Sequence, residues 1–174
     1  VFNLFEGFCG EPETEALVPE YLENIGIPFT GCPAKALGLG LDKAKVKVLL
    51  QAAGIPTPDF QLLSPDTFHA FHLGYPCIVK PRSEDASHGI TSDSVAYDLD
   101  SLKTQMQLVS GSYGNALIEG FVNGREFNAT IIGNSQCTVL PVSEITYSLP
   151  TEIPEILTFA AKWEADSPYF RGTQ

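Results

Sequence analysis

The sequence predicts an α/β protein in which short apolar strands alternate with amphipathic helices. Residues 1–4 and 27–31 have the composition of strands, and residues 17–25 between them carry apolar side chains at helical spacing. Pro19 lies inside that helical pattern, where it fits the first turn of a helix. The opening of the chain is therefore predicted to be a β-α-β unit, about half of a doubly wound lobe.

A second observation is a well-bounded helix at residues 43–53. Asp42 is a suitable N-cap, Gly54 suits the C-terminal cap, and Pro56 prevents continuation. Apolar side chains recur at positions i, i+3, i+4 and i+7, which predicts a face turned towards a core. That stripe is formed by Val46, Leu49, Leu50 and Ala53, and the same helix carries Lys43, Lys45 and Lys47.

A third observation is a series of strand and helix patterns after residue 59. Helices are predicted at residues 65–73 and 99–108. Residues 125–132 and 136–145 alternate around a Gly-Asn pair, which predicts a β-hairpin. The remaining predicted strands are Phe60–Leu63, Cys77–Pro81, 94–96 and 116–119.

Composition excludes several classes of protein. The chain of 174 residues is 44% hydrophobic and 18% charged, which is ordinary for a folded protein. Its net charge of −11 disfavours nucleic acid as a partner, because there is no basic stripe to displace counterions. No apolar run suits a membrane span and no leader opens the chain, so we expect a cytoplasmic protein. The four cysteines are widely spaced, which favours reduced thiols and disfavours a zinc site. Two disulfides are the alternative.

The ends of the chain lead us to expect a segment of a longer protein. Val1 already lies in a predicted strand, the single methionine is Met106, and residues 169–174 show no closing element.

The first candidate site residue is Lys80, which ends an apolar strand before Pro81 and a polar loop at residues 82–89. Ligands commonly bind beyond strand ends, but a lysine that extends out of the core is an equal alternative. In the loop, small residues let backbone N–H groups approach phosphate oxygens, and Ser83 and Ser87 add hydroxyls. The loop lacks the Walker pattern, and an ordinary surface loop is the alternative.

A second candidate region contains Glu119 and Glu126, with Gly120 and Gly124 between them. The backbone at a strand end can hydrogen-bond a flat heterocycle, and a carboxylate just beyond it can accept both hydroxyls of a ribose. Two exposed acids beside a turn are the alternative.

The other candidates are single residues. Lys43 and Lys162 are further cations, which on their own are solvated surface residues. The histidines at positions 69, 72 and 88 show no metal-ligand spacing.

Eight short motifs, in this order along essentially the whole chain, resemble those of D-alanine–D-alanine ligases and their ATP-grasp relatives. They are VFNLFEG (1–7), GIPFTG (26–31), LDKAK (41–45), AGIPTP (53–58), IVKP (78–81), LIEGFVNGREF (117–127), VLPVSEI (139–145) and AAKW (160–163). The resemblance implies an ATP-grasp fold that is incomplete at both ends. It implies a remnant of an N-terminal lobe at residues 1–32, a central ATP-grasp subdomain at 33–120, and the start of a C-terminal subdomain at 121–174.

The resemblance also implies an ATP site. Lys43 and Lys80 match the two lysines that contact the phosphates, and Ser87 lies in the loop at residues 85–89 that covers them. Lys162 matches a lysine that follows a later loop. The remaining matches are Glu119, Gly120 and Val122 at the hinge that holds adenine, and Glu126 as the acid that binds the ribose.

The implied activity is ATP-dependent formation of an amide or dipeptide bond, as in the synthesis of peptidoglycan precursors. A substrate carboxylate attacks the γ-phosphate to give an acyl phosphate, and an amine then displaces phosphate. The expected cofactors are ATP and Mg²⁺. The main catalytic groups and the Mg²⁺ ligands are expected beyond Gln174, so this chain alone is expected to be inactive. The expected partners are amino acids or other small carboxylates, with no membrane, and a homodimer is left open.

Three positions depart from the family pattern. Ala86 stands where a serine is usual, Trp163 where a tyrosine is usual, and Glu6 where a histidine is common. These substrate-loop candidates leave the amino-acid specificity open, and an amide-forming ligase with another substrate fits equally. The alternative function is a non-catalytic ATP-binding module used for sensing or scaffolding. An acidic residue and a Glu-x-Asn pair after Gln174 would favour the enzyme.

Overall fold

Three helices lead into the main sheet, and the computed structural model describes residues 1–174. A 3-10 helix at Pro12–Ala16 precedes α1 (Leu17–Asn24), which is followed by α2 (Ala34–Leu41) and α3 (Lys43–Ala52). Asp42 caps α3, since its carboxylate accepts a hydrogen bond of 3.2 Å from the backbone N–H of Lys45. Gly54 follows α3 with φ of +70°, a left-handed conformation that favours glycine. The predicted helices around residues 17–25 and 43–53 are confirmed.

A four-stranded antiparallel sheet lies at the centre of the molecule. In chain order its elements are β1 (Phe60–Leu63), a 3-10 helix at Pro65–Ala70, β2 (Cys77–Pro81), β3 (Val95–Ala96), α4 (Leu99–Tyr113) and β4 (Ala116–Gly120). The spatial order of the strands is β1-β4-β2-β3. All four strands were predicted from the sequence, and α4 extends beyond the predicted range of 99–108.

The main hydrophobic core lies between α4 and one face of the sheet. Leu102 and Met106 of α4 are buried there with Val79 of β2 and Ile118 of β4. Successive side chains of a strand point to opposite faces. The residues next to Val79 and Ile118 in the strands therefore point away from α4, and these include Lys80 and Glu119.

The C-terminal part of the chain packs on that second face. Two antiparallel pairs form the predicted hairpin, with β5 (Glu126–Asn128) beside β8 (Ser143–Ile145) and β6 (Ile131–Gly133) beside β7 (Cys137–Val139). Two short helices follow, α5 (Phe159–Trp163) and α6 (Pro168–Gly172). A second buried cluster joins Ile78 and Val95 of the sheet to Ile156 and Tyr169.

Predictions for the two ends of the chain are wrong. Val1 exchanges backbone hydrogen bonds with Pro28 and Thr30, yet residues 1–4 form no strand because Val1, Phe2 and Leu4 are 60–78% exposed and have no covering layer. Residues 169–174 contain regular structure. Part of α6 lies there, and Thr173 forms an isolated antiparallel bridge with Tyr147.

The predicted orientation of α3 is also wrong. Leu49 of the apolar stripe is 51% exposed, whereas Lys47 is only 6% exposed. The physical reason is the partner that the helix meets. The face of α3 turned towards the sheet reaches the carboxylate of Glu119, which attracts an ammonium rather than an apolar side chain.

The core assignment predicts a large effect at one position of α4. Leu102→Ala removes a fully buried side chain, and we expect the free energy of unfolding to fall by about 2–5 kcal/mol. Urea unfolding followed by circular dichroism measures it. Leu108→Ala on the same helix is the control, because Leu108 is 60% exposed and should change stability by less than about 0.5 kcal/mol. Equal losses for the two variants would contradict this core.

Candidate functional site

One cavity of about 520 Å³ contains every residue that the sequence assigned to the ATP site. It lies on the face of the sheet opposite α4, under loop 82–89 and beside residues 119–126. The predicted residues in its lining are Lys43, Lys80, Ser87, Glu119, Gly120, Val122, Glu126 and Lys162. They come from distant parts of the chain, so the fold brings together the three cations and the two acids of the predicted site. Their role as ATP ligands stays a prediction.

At the floor of the cavity, Glu119 lies between two ammonium groups. Lys80 Nζ is 2.5 Å from Glu119 Oε1, and Lys47 Nζ is 2.6 Å from Glu119 Oε2. The pairing of β2 with β4 explains this contact, because Lys80 lies opposite Leu117 and so shares a face with Glu119 two residues on. Burial opposes ionisation of Glu119, but the charge of Lys80 and the hydrogen bonds from both lysines outweigh it, so the pKa of Glu119 is below its ordinary value. The carboxylate is therefore ionised at neutral pH.

Lys47 was missed as a site residue. The sequence did contain a signal, since Lys43 and Lys47 are four residues apart and share one face of α3. What the sequence could not show is that this face is the buried one.

A bidentate ion pair fixes Lys43 at the edge of the cavity. Arg82 donates to Asp42 from Nε at 3.0 Å and from Nη2 at 2.7 Å. The Lys43 N–H also donates to the carbonyl of Arg82, and the Lys43 ammonium donates to the carbonyl of Glu84. Burial and the neighbouring Lys80 lower the pKa of Lys43. This cation is therefore held against loop 82–89 and faces a second cation.

Loop 82–89 is tied to the C-terminal segment on the other side of the cavity. Ser87 Oγ donates to the carbonyl of Leu157 at 2.8 Å, and Trp163 Nε1 donates to the carbonyl of Ala86 at 3.2 Å. Ala86 and Ser87 both have positive φ, at 46° and 65°. Two of the three positions that depart from the family pattern, 86 and 163, are thus in direct contact. The loop is closed over the cavity without a hydroxyl at either position.

The substrate-loop candidates lie in different places. Ala86 lines the cavity, but Trp163 and Glu6 do not. The indole of Trp163 is mostly exposed, at 57%. Burial raises the pKa of Glu15, and the charges of Asp85 and Glu6 raise it further.

Glu126 has a partner that the sequence did not predict. Tyr147, two residues after β8, donates from its hydroxyl to Glu126 Oε2 at 2.5 Å. Burial and this hydrogen bond raise the pKa of Tyr147 above its ordinary value. No local pattern indicates the pair, because it depends on the register of β5 with β8. Tyr147 orients the carboxylate that was assigned to the ribose.

Two backbone N–H groups of the hinge at residues 119–122 already have hydrogen-bond acceptors within the chain. The N–H of Gly120 donates to the carbonyl of Asp59 and that of Phe121 to the carbonyl of Pro76, each at 3.1 Å. These bonds fix the hinge against the residues that immediately precede β1 and β2. Val122 is 70% exposed at the mouth of the cavity.

The structure contains neither a cluster of metal-binding side chains nor a membrane-spanning helix. No three histidine, cysteine, aspartate or glutamate side chains come together in a way that could hold a metal ion. None of the helices combines the length and the apolar character needed to cross a bilayer.

Comparison with known proteins gives a consistent result. The family model described as "D-ala D-ala ligase C-terminus" matches residues 49–170. Uncharacterized protein y4sG of Sinorhizobium fredii is 35% identical over 95% of this chain and 48% of its own length. D-alanine–D-alanine ligase of Laribacter hongkongensis is 31% identical over 98% of this chain and 52% of its own length. The chain thus spans about half the length of these curated relatives.

Solved structures agree. The VanG D-Ala:D-Ser ligase of Enterococcus faecalis is 27% identical with a TM-score of 0.71, over 85% of this chain and 43% of that one. A D-alanine–D-alanine ligase of Bacillus anthracis complexed with ATP is 26% identical with a TM-score of 0.59, over 88% and 46%.

The Asp42–Arg82 pair predicts a pH-dependent stability. The hydrogen bond from Arg82 holds the pKa of Asp42 far below its ordinary value, despite burial. A carboxylate with a lowered pKa in the folded state stabilises the fold above its ordinary pKa, and this contribution is lost as pH falls below about 4. Asp42→Asn should therefore cost about 2 kcal/mol at pH 7 and progressively less towards pH 2.

Urea unfolding at a series of pH values measures this difference. Asp66→Asn, which changes an exposed aspartate, is the control and should change stability little at any pH. A constant cost for Asp42→Asn between pH 7 and pH 2 would contradict the ion pair.

Proposed function

Since this chain belongs to the D-alanine–D-alanine ligase family of ATP-grasp proteins, we propose that it supplies the ATP-binding part of an ATP-dependent carboxylate–amine ligase. The single observation that carries the proposal is the cavity in which all the matched residues meet. A volume of about 520 Å³ is within the range of small-molecule sites. The reaction of the whole protein is part of the proposal, because the chain spans about half of its curated relatives.

The cavity has the polarity that a nucleoside triphosphate requires. Lys43, Lys80 and Lys162 are among the cations of its lining, and the Lys43 ammonium is hydrogen-bonded to loop 82–89 at the carbonyl of Glu84. Another acid in its lining, Glu126, lies after the hinge and is oriented by Tyr147, where it can accept the hydroxyls of a ribose. We propose that the adenine rests against residues 119–122 and the phosphates lie under the loop.

The residues of this chain then act by positioning and by charge. ATP supplies the phosphoryl group, which a substrate carboxylate accepts as ADP leaves, and an amine then displaces phosphate at the activated carbon. The lysines neutralise the charge that develops on the transferred phosphoryl oxygens. The closed loop, held by Ser87 and Trp163, keeps water away from the reacting group.

Magnesium does not fit the side chains of this chain, because no cluster of acidic groups could hold it. We propose that the Mg²⁺ ligands belong to a part of the protein outside residues 1–174.

The substrates are proposed as a pair of small molecules, one with a carboxylate and one with an amine. The contact between Ala86 and Trp163 closes the loop without the usual hydroxyls. The family makes D-alanine one candidate for each substrate, and other amino acids fit the same chemistry. We also propose a cytoplasmic location and a role in peptidoglycan precursor synthesis, which the likeness to relatives named D-alanine–D-alanine ligase supports.

The nucleotide assignment predicts the effect of removing Lys80. Lys80→Ala should weaken ATP binding by about tenfold or more, because one cation is lost from the phosphate end of the cavity. Isothermal titration calorimetry of the purified chain measures it. Lys103→Ala, which removes a lysine from α4 on the other face of the sheet, is the control and should leave the affinity unchanged. Equal affinities for Lys80→Ala and the unmodified chain would refute the placement of the phosphates.

The ligase assignment predicts a requirement for an amino acid. A protein that extends this sequence to the length of its relatives should release phosphate from ATP only when an amino acid or dipeptide is added. A screen of amino acids with a phosphate assay measures this, and ADP formation should match amide formation one to one. Tight ATP binding with no release under any condition would instead favour the non-catalytic module.

A further inference from the structure

Lys47 is a buried cation that does not touch the cavity. Its side chain is only 7% exposed, and it is absent from the cavity lining. Its ammonium donates to Thr57 Oγ1 and to Glu119 Oε2, both at 2.6 Å, and lies 5.2 Å from the centre of the Phe60 ring. Burying the Lys47 ammonium costs desolvation free energy, which its three contacts must offset, and those contacts suggest a functional reason for its position.

The charges of the cluster add up to a net positive site. Glu119 carries one negative charge, and two ammonium groups contact its two oxygens. Lys47 is the more buried of the two, while Lys80 is 27% exposed and lines the cavity. Without Lys47, Lys80 and Glu119 would form a neutral pair beneath the proposed phosphate site. With Lys47, one positive charge remains uncancelled at the cavity wall.

We propose that Lys47 is a positioning residue that neutralises and orients Glu119, so that Lys80 keeps its charge available for an anionic ligand. The inference deepens the proposed function and rests on it. Thr57, just before β1, and Phe60, at its start, both contact the Lys47 ammonium and hold it outside the cavity. Lys47 therefore acts on a ligand through Glu119.

Variants at position 47 separate charge from packing. Lys47→Gln keeps hydrogen-bond donors of similar reach and loses the charge, while Lys47→Arg keeps the charge. We expect Lys47→Gln to weaken ATP binding by about tenfold and Lys47→Arg by less than about threefold. Lys45→Gln removes the same charge from a side chain that is 67% exposed on the same helix, and it should change the affinity by less than about twofold.

Two further measurements distinguish this role from a merely structural one. Adenosine carries no phosphate, so its affinity should fall by less than about twofold in Lys47→Gln. In a Glu119→Gln background, adding Lys47→Gln should cause no further loss of ATP affinity, because the group through which Lys47 acts is then neutral. Equal losses for ATP and adenosine, or a further tenfold loss in that background, would overturn the proposal.

A readout without nucleotide separates this inference from the proposed function. Carbon-13 NMR of the Glu119 carboxyl should show its titration midpoint at higher pH in Lys47→Gln than in the unmodified chain, with Lys80 and Lys43 the remaining cations that face it. If the unmodified chain binds no ATP, the proposed function fails while the midpoint still tests the cluster. If it binds ATP and Lys47→Gln behaves like Lys45→Gln, only this inference fails. If Lys47→Gln alone does not fold, the Glu119→Gln variant is compared with the double variant Glu119→Gln/Lys47→Gln. A further tenfold loss of ATP affinity in the double variant would again overturn the proposal.

Discussion

The site depends on the ion pairs that the buried carboxylate of Glu119 makes with Lys47 and Lys80. This carboxylate is the point where α3, β2 and β4 meet, because Lys47 and Lys80 reach it from the first two elements. A buried carboxylate with one partner removed would be strongly destabilising, so the three side chains must be kept together. The consequence is that the position of α3 over the sheet, and with it the position of Lys43, is set by charge rather than by an apolar stripe.

Much of the fold could be predicted from the sequence because its signals are local. The strands at Cys77–Pro81 and Ala116–Gly120 are short apolar runs, and the helix after Asp42 has caps at both ends. Tertiary partners could not be predicted in this way. Lys47 was not assigned to the site because a helix pattern does not reveal a charged partner on a distant strand. Residues 1–4 were read as a buried strand because composition does not reveal whether a covering layer is present.

For the site, too, residues in local motifs could be predicted, whereas their partners from distant parts of the chain could not. The motif resemblance assigned eight residues to an ATP site, and all eight line one cavity in the structure. The groups that orient those residues were missed, because Arg82 pairs with Asp42 across 40 positions and Tyr147 pairs with Glu126 across 21. Such long-range partners depend on strand register and loop path. They carry no spacing signal of their own.

The link between Trp163 and the loop has a spectroscopic consequence. Trp163 is the single tryptophan of the chain, and its indole N–H contacts the carbonyl of Ala86 in the loop that closes the cavity. Indole emission depends on hydrogen bonding and on exposure to water, so opening the loop alters the ultraviolet fluorescence of one identified chromophore. The molecule thus contains an intrinsic optical reporter of this loop, which would signal its opening without an added dye.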